Sequence, residues 1–273
     1  MNEFIRPIPS AVDLYEEGDL NGLNINELGQ YLEEKIHIPF RIRGNIYKRF
    51  SKKRIGEVSK ELARIKLKDP GTRFVSGVPS LQGEVDYEER RISDPRWKIF
   101  GILYEGVHYQ KIISDLGIKG GLDFKHCIIL FTNQLFGTWD RDDNRYHARV
   151  SLYGFPSLIS LPGLVEAPAK PKEFYIKKQM GTPVEWLIEE YQGRFLDHGD
   201  SRTTEVLKGY AMQAFLFHVT GDPFCEDGDC RLFNSHWQEE VLRSQLNGQY
   251  EFCPIHEAML KGLRDRSIKG GVR

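Results

Sequence analysis

The sequence predicts a single α+β domain, because strand-like segments fill its middle and helix-like segments follow them. The apolar run HCIILFT (126–132) has the length of a buried central strand. LFGTWD (135–140) and YHARVSLYG (146–154) follow at short intervals, and the polar DRDDN between them predicts a hairpin. PVEWLIEEYQGRFL (183–196) and SRTTEVLKGYAMQAFLFHVTG (201–221) then favour helices. Because no internal repeat or low-complexity tract is present, we expect the 273 residues to form one domain.

The residues before the central strand divide into an N-terminal part, 1–70, and a loop or insertion at 71–96. Asn24 begins an amphipathic helix that extends to about Ile36, since a glutamate stands three residues after it, as in a capping box. IPFRIRG (38–44) predicts a short strand, and a basic segment at 41–68 includes a second amphipathic helix. Turn-forming residues dominate 71–96, which is why we predict no regular structure there.

Residues 97–260 are predicted to form the core of the domain, and 261–273 a tail. WKIFGILYEGVHYQKIISDLGI (97–118) predicts a strand followed by a short helix, from its aromatic and β-branched content. GFPSLISLPGLVEAPAKPKEF (154–174) is interrupted by prolines and glycines, so we expect an extended connection there.

The composition is that of a folded globular protein. Hydrophobic residues make up 40% of the chain, charged residues 28%, and the net charge is -1, which excludes a globally basic nucleic-acid binder. No apolar run is long enough to span a membrane, and the N-terminus does not resemble a signal peptide. We therefore expect a cytoplasmic protein with no membrane partner. Disulfides are rare in that compartment, so clustered cysteines there more often bind metal.

Three of the four cysteines cluster near the C-terminus with a histidine. Cys225 and Cys230 are spaced C-x4-C, and Cys253 and His256 are spaced C-x2-H, with a helix-sized segment between the two pairs. Zinc prefers tetrahedral sulfur and nitrogen ligands, and such short spacings let two chain segments close on one ion. Because four protein ligands leave no open position, the pattern predicts one structural zinc. The alternative is that the three cysteines are ordinary buried residues and His256 lies on the surface.

From Ala214 the sequence reads A-F-L-F-H-V-T-G-D-P-F-C-x4-C-x-L. This pattern resembles the signature of the archaemetzincins, zinc metallopeptidases with H-E-x-x-H-x-x-G-x-x-H-C-x4-C-x-M followed by C-x-x-C. His218 matches the second histidine, Gly221 the glycine, and the four predicted ligands match the cysteines of the family's own second zinc, with His256 in place of the last cysteine. The resemblance covers residues 97–260 and implies a metzincin-like twisted mixed sheet, a long helix carrying His218, and a zinc-stapled C-terminal subdomain. The whole chain also resembles a group of archaeal proteins classed only as metallopeptidase candidates.

The catalytic half of the signature is absent. Ala214 stands where the first metal-binding histidine belongs, Phe215 replaces the general-base glutamate, Phe224 replaces the third histidine, and Leu232 replaces the methionine. Neither alanine nor phenylalanine can coordinate zinc, so the resemblance implies a degenerate metallopeptidase that lacks hydrolysis. We expect no second, catalytic ion. A peptide or protein partner could still bind in the family's cleft by strand addition.

Two alternatives remain open for function. The first is an active hydrolase with a rewired second metal site, for which the candidate residues are His218, His236 and Glu239. His236 and Glu239 are three residues apart and would share one face of a helix. The competing interpretation, which we favour, makes His218 a core histidine with one hydrogen bond and leaves His236 and Glu239 on a solvated surface.

The second alternative is a nucleic-acid-binding module, which we do not favour. In the basic segment 41–68, lysines and arginines alternate with Tyr47 and Phe50, as in a phosphate-contacting surface with stacking aromatic rings. Glu57 and Glu61 dilute the charge, so a solvated helix face explains the pattern equally well. The acidic DRDDN segment resembles a calcium loop in its oxygen ligands but lacks the glycine and distal glutamate of an EF-hand, which favours a solvated hairpin turn.

Overall fold

Two mixed β-sheets form the framework of the computed structural model, which describes residues 6–94, 96–116 and 124–270. The nine strands in these residues, in chain order, are β1 Ala11–Glu17, β2 Phe40–Asn45, β3 Lys66–Leu67, β4 Leu103–Glu105, β5 His126–Thr132, β6 Leu135–Asp140, β7 Arg145–Arg149, β8 Ser151–Leu152 and β9 Ser157–Ser160. The α-helices are α1 Ile25–Ile36, α2 Lys52–Arg64, α3 Gln82–Ser93, α4 Gly106–Asp115, α5 Leu161–Glu166, α6 Lys172–Gln179, α7 Val184–Glu190, α8 Thr203–Thr220, α9 Gln238–Leu242 and α10 Pro254–Gly270. A π-helix, Arg243–Asn247, follows α9 directly.

The larger sheet has the strand order β2-β1-β5-β9-β8. Its first four strands are parallel, and β8 pairs antiparallel with β9. The carboxyl ends of the three inner strands are in register, because Glu17 pairs with Thr132 and Thr132 with Ser160. The smaller sheet has the order β3-β4-β6-β7 and ends in the β6–β7 hairpin. The predicted α+β class is therefore confirmed, with mixed sheets and a long helix.

Helices cover the larger sheet on both faces. The α1, α8 and α10 helices pack on one face, where alternate residues of β1 and β5 such as Leu14 and Ile129 are fully buried. The α2 and α4 helices pack on the other face, against the neighbouring residues Tyr15 and Leu130. Because successive side chains of a strand point to opposite faces, the central residues of β5 are apolar on both sides, whereas β1 has Asp13 and Glu17 on the same face as Tyr15. This explains the uninterrupted apolar run that identified β5 in the sequence.

A network of buried charges lies at the carboxyl end of β1. The carboxylate of Glu17 accepts hydrogen bonds from Arg91 Nη1 (2.7 Å), Thr132 Oγ1 (2.8 Å), Tyr47 Oη (3.0 Å) and Tyr109 Oη. Arg91 is 2% exposed and also donates two hydrogen bonds to Glu88. Every charge has a partner, as a buried ion pair requires.

Helix α3 corrects the prediction that 71–96 is a loop or insertion, since only part of that range is irregular. The buried face of α3 carries Glu88 and Arg91 beside Val85 and Ile92. Two of its four buried positions are therefore charged, which conceals the helical period of apolar residues. Strand β1 was not predicted for a related reason, because Asp13 and Glu17 are buried within it.

Two other predictions were wrong. The range 154–174 is not simply an extended connection, since it contains β9, a fully buried inner strand, and the short helix α5. Pro162 lies in the first turn of α5, where proline is well tolerated, so it marks a helix start and not a loop. The predicted tail 261–273 continues α10 as far as Gly270, and 271–273 lie outside the described residues.

Most other predicted elements are confirmed. The Asn24 side chain accepts a hydrogen bond from Glu27 N and caps α1, and β2, α2, α7 and α8 lie where expected. The strand and helix expected in 97–118 are β4 and α4, and the end of that segment falls outside the described residues. In the exposed β6–β7 turn, Asp140 accepts hydrogen bonds from the backbone of Asp142 and Asp143, as a solvated turn would. Within the described residues, none of the helices is long and apolar enough to cross a membrane.

Candidate metal centre

The C-terminal cluster is assembled by two turns and one helix start. Gly221 ends α8 in the left-handed conformation (φ 80°), which turns the chain toward Cys225. Cys230 closes a tight turn through a hydrogen bond from its backbone N to Asp227 O (3.0 Å). Cys253 immediately precedes α10, and His256 lies in the first turn of that helix, after Pro254. The spacings C-x4-C and C-x2-H thus bring all four predicted ligands together.

The four ligand atoms have the separations of a tetrahedral site. They lie within 4.8 Å of one another, with 3.8 Å between the sulfurs of Cys225 and Cys253 and 3.9 Å between Cys230 Sγ and His256 Nδ1. His256 Nδ1 is 3.1 Å from Cys253 Sγ. Zinc–sulfur bonds of about 2.3 Å in a tetrahedron place sulfurs roughly 3.8 Å apart, so the cluster fits zinc. Among the described residues, no other group of three or more histidine, cysteine or acidic side chains meets this criterion.

The surroundings of the cluster suit thiolates that are bound to a cation. Burial raises the pKa of the Cys225 thiol, and it raises that of Cys230 to about 12, with the adjacent cysteines adding to the increase. Burial also lowers the pKa of His256, against an opposing effect of Asp222. A bound divalent cation reverses the preference of the thiols for the protonated form and deprotonates them. Backbone N–H groups of Asp227 and Cys253 each point at a sulfur from 3.4 Å, and such contacts orient metal-bound thiolates.

His218, by contrast, is surrounded by groups that do not bind metals. It is 2% exposed, and its Nε2 donates a hydrogen bond to the carbonyl oxygen of Phe124 (3.1 Å). The rings of Phe124 and Phe155 lie edge-on to the imidazole. Arg6 donates to the carbonyl oxygens of Phe217 (2.6 Å) and His218 (3.2 Å). The favoured prediction of a core histidine with one hydrogen bond describes this environment.

Arg6 was not identified from the sequence. Its guanidinium lies 5.2–5.8 Å from the ring centres of Phe124, Phe155 and Phe217. Because it is so far from His218 along the chain, no spacing pattern links the two residues. Burial lowers the pKa of His218, the Phe124 carbonyl opposes this decrease, and the positive charge of Arg6 adds to it.

Two of the three positions that match the catalytic residues of the signature belong to the hydrophobic core. Ala214 and Phe215 are both 0% exposed and pack in the cluster that joins α8 to the larger sheet. Phe224 is 38% exposed, and its ring contacts Tyr153, whose hydroxyl donates to Gln213 Oε1 (2.5 Å). No carboxylate or imidazole replaces the lost ligands at these positions.

His236, Glu239 and His218, the candidates for a rewired metal site, do not come together. Helix α9 begins at Gln238, so His236 precedes it, and the expected shared helix face is wrong. Glu239 is exposed and bound by Arg194. The physical reason is a cap: the Glu240 carboxylate accepts hydrogen bonds from the backbone N of His236 and Trp237, which holds these residues outside the helix.

The basic segment also differs from a stacking surface for nucleic acid. Tyr47 is 3% exposed and donates to the buried Glu17, so its ring is not available to stack with bases. Several cations of the segment are paired with acids: Arg43 with Asp13, Arg54 with Glu57, and Lys66 with the buried Glu88.

A cleft of about 270 Å³ lies beside the edge strand β8. Its walls are formed by residues 148–153 on one side, by Tyr210 and Gln213 of α8, and by residues 233–236. His236 lies here, and Phe224 closes one end.

Comparison with known proteins gives similarities at low identity. The chain is similar to an archaemetzincin from Methanopyrus kandleri, with 11% identity, a TM-score of 0.47, and coverage of 96% of this chain and 98% of the other. It is similar to a zinc-dependent peptidase from Methanocorpusculum labreanum, with 12% identity, a TM-score of 0.40, and coverage of 91% and 99%. No functionally curated protein matches it. The model of the probable metallopeptidase family DUF6775 matches residues 9–263, and the chain therefore belongs to that family.

Proposed function

We propose that this protein is a non-hydrolysing member of its metallopeptidase family, with one structural zinc and a peptide-binding cleft beside β8. The observation that carries the proposal is the contrast between the two metal-binding halves of the signature. Cys225, Cys230, Cys253 and His256 converge within 4.8 Å, whereas Ala214 and Phe215 are fully buried core residues.

The zinc would be held by three thiolates and one imidazole. A zinc with four protein ligands has no position for water or substrate, so it contributes to folding and not to hydrolysis. It would fasten the start of α10, which provides Cys253 and His256, to the turn after α8. That turn provides Cys225 and Cys230.

A second ion at His218 is disfavoured by two contacts. Nε2 must carry the proton that it donates to the Phe124 carbonyl, since a carbonyl can only accept, so Nε2 cannot coordinate and only Nδ1 of this histidine remains for a metal. The guanidinium of Arg6, held against the end of α8, also repels a cation.

The cleft beside β8 supports the proposal that the protein binds a peptide. Strand β8 pairs only with β9 and is the edge of the larger sheet, so a peptide can add to it as a further strand. Tyr210 and Phe233 provide apolar walls, while the exposed Asn234 provides a hydrogen-bonding group.

Two measurements on the purified protein test the proposal. Metal analysis should find one zinc per chain, and a pool of internally quenched fluorogenic peptides should remain uncleaved. Two zinc ions per chain together with peptide cleavage that chelation abolishes would favour the rewired hydrolase instead.

A peptide array tests the cleft. Asn234→Trp should block the bound peptides, because Asn234 lines the cleft, whereas Asn247→Trp, an exposed position that does not line it, should leave binding unchanged. Equal binding by the two variants, or no binding by the wild-type protein, would exclude peptide recognition at this place.

A further inference from the structure

The order of the parallel strands creates a switch point between β1 and β5. The chain leaves β1, passes through α1 on one face of the sheet, and reaches β2 on one side of β1. It then passes through α2 and α4 on the other face and returns as β5 on the opposite side of β1. In sheets with this arrangement, ligands bind in the crevice outside the carboxyl ends of the strands, where the connections separate.

A cavity of about 380 Å³ occupies this crevice. Each inner parallel strand contributes a residue that follows its carboxyl end: Asp19 after β1, Asn133 after β5, and Leu161 after β9. Gly18 allows this convergence, because its φ is +86° and a side chain there would lie 2.3 Å from the Asn133 carboxamide. The cavity shares no lining residue with the cleft beside β8.

The cavity has an amine without a counter-charge. Lys98 is half-buried in its wall and forms no ion pair with the carboxylates of the described residues; its Nζ lies 4.9 Å from the ring centre of Phe100. Burial lowers the pKa of Lys98 to about 8, nearby Arg91 lowers it further, and Glu17 opposes the decrease. A half-buried cation without an anionic partner is costly, which favours a ligand that supplies one.

Asp19 and Asp197 also line the cavity, but both are exposed, and Arg96, a second cation of the lining, is paired with Asp94. Asp19 accepts a hydrogen bond from Asn21 Nδ2 (2.9 Å), and Asp197 accepts one from the backbone N of His198 (2.7 Å). The rest of the wall includes apolar side chains of Leu164 and Val165 and the 68% exposed ring of Phe100. The cavity therefore combines the half-buried amine of Lys98 with an apolar surface, while the carboxylates of its lining are exposed to solvent.

We propose that this cavity is a binding site for a small organic anion, whose carboxylate or phosphate pairs with Lys98 and whose apolar body packs on Phe100 and Leu164. A volume of about 380 Å³ is within the range of small-molecule sites, roughly 300–1,000 Å³. This site is separate from the proposed zinc and peptide functions and does not depend on them.

Nuclear magnetic resonance titration of the full chain with benzoate, phenyl phosphate and the neutral analogue benzamide tests the site. Benzoate or phenyl phosphate should bind saturably, at least tenfold more tightly than benzamide, and the better of the two identifies the anion class. Lys98→Met should weaken anion binding at least tenfold, whereas Lys60→Met, at an exposed position of α2, should not.

Phe100→Ala provides a second variant that leaves the core intact, and it should also weaken binding. Trp97→Ala is its control, because Trp97 is exposed in the same segment but does not line the cavity. Selective acetylation of Lys98, followed by mass spectrometry, should be slowed by the bound anion. The proposal is overturned if neither anion binds, if benzamide binds equally well, or if Lys98→Met and Phe100→Ala bind like the wild-type protein.

Discussion

His218 and His256 are almost equally buried, yet only one of them lies in a place that fits a metal ion. His218 is 2% exposed and His256 is 8% exposed. His256 has cysteine sulfurs at 3.1 and 3.9 Å, while the imidazole of His218 bonds to a carbonyl oxygen and its backbone carbonyl accepts from the guanidinium of Arg6. The difference shows that the identity of the surrounding donors, and not burial, decides whether a histidine can serve a metal.

The surroundings of His256 and of His218 also differ in whether their polar groups find hydrogen-bond partners without a metal ion. A thiol is a weak hydrogen-bond donor and acceptor, so the three clustered cysteines, two of them buried, cannot compensate one another as the Glu17–Arg91 network does. The aromatic rings around His218 need no such compensation, since they are buried as apolar surface. Removal of metal should therefore strongly destabilise the structure around His256 and leave the structure around His218 almost unchanged.

The largest expected effect comes from Cys253→Ser. This change removes a central ligand, so zinc should fall from one per chain to less than a tenth by metal analysis. Structural zinc contributes about 10 kcal/mol in small zinc domains. That loss is as large as the total stability of a typical domain. We therefore expect at least the segment after α8 to unfold, with lost hydrogen-exchange protection in α10.

Cys127→Ala is the matched control, because Cys127 is 1% exposed but lies alone on β5. It should retain stoichiometric zinc and protection of α10. If Cys253→Ser kept a full equivalent of zinc, or if Cys127→Ala lost it, the assignment of the ligands would be wrong.

The next effect concerns the positions that match the catalytic residues of the archaemetzincin signature. Phe215→Glu introduces the glutamate of that signature at a 0% exposed core position. It should lower the free energy of unfolding by at least about 3 kcal/mol in urea titration, since it removes a packed ring and buries a charge. Phe224→His restores a ligand at a 38% exposed position and should change stability by less than about 1 kcal/mol. A gain of a second zinc by either variant, without loss of stability, would contradict the comparison.

How much of the fold and of the candidate site could be predicted depended on whether the local sequence pattern indicates where each side chain lies. The convergence of Cys225, Cys230, Cys253 and His256 was predictable, because their spacing along the chain is short and sulfur has few other uses in such clusters. Strand β5 and helix α8 were predictable from long apolar runs. Helix α3 was not, since Glu88 and Arg91 occupy its buried face and are satisfied by residues distant in sequence.

The environments of His218 and Lys98 were beyond prediction for a different reason. Arg6 and Phe124 reach His218 from distant parts of the chain, and the cavity at Lys98 depends on three strand ends that only the sheet order brings together. Spacing patterns detect ligands within one segment, but they contain no information about which strands become neighbours.

The smallest expected effect is a dependence of stability on pH that belongs to His218 and not to the zinc. Burial and Arg6 hold the pKa of His218 below its usual value, so the folded state binds fewer protons than the unfolded state. The contribution of neutral His218 to the free energy of unfolding is complete above the unfolded pKa of about 6.5 and is lost as the pH falls toward the lower folded pKa.

In urea titrations between about pH 7.5 and 5.5 with excess zinc, the wild-type protein should lose stability more steeply than His218→Gln. His236→Gln, at an exposed position, should follow the wild-type curve. Parallel curves for wild type and His218→Gln would mean that this histidine is not held neutral by its surroundings, and the contrast with His256 would then rest on coordination alone.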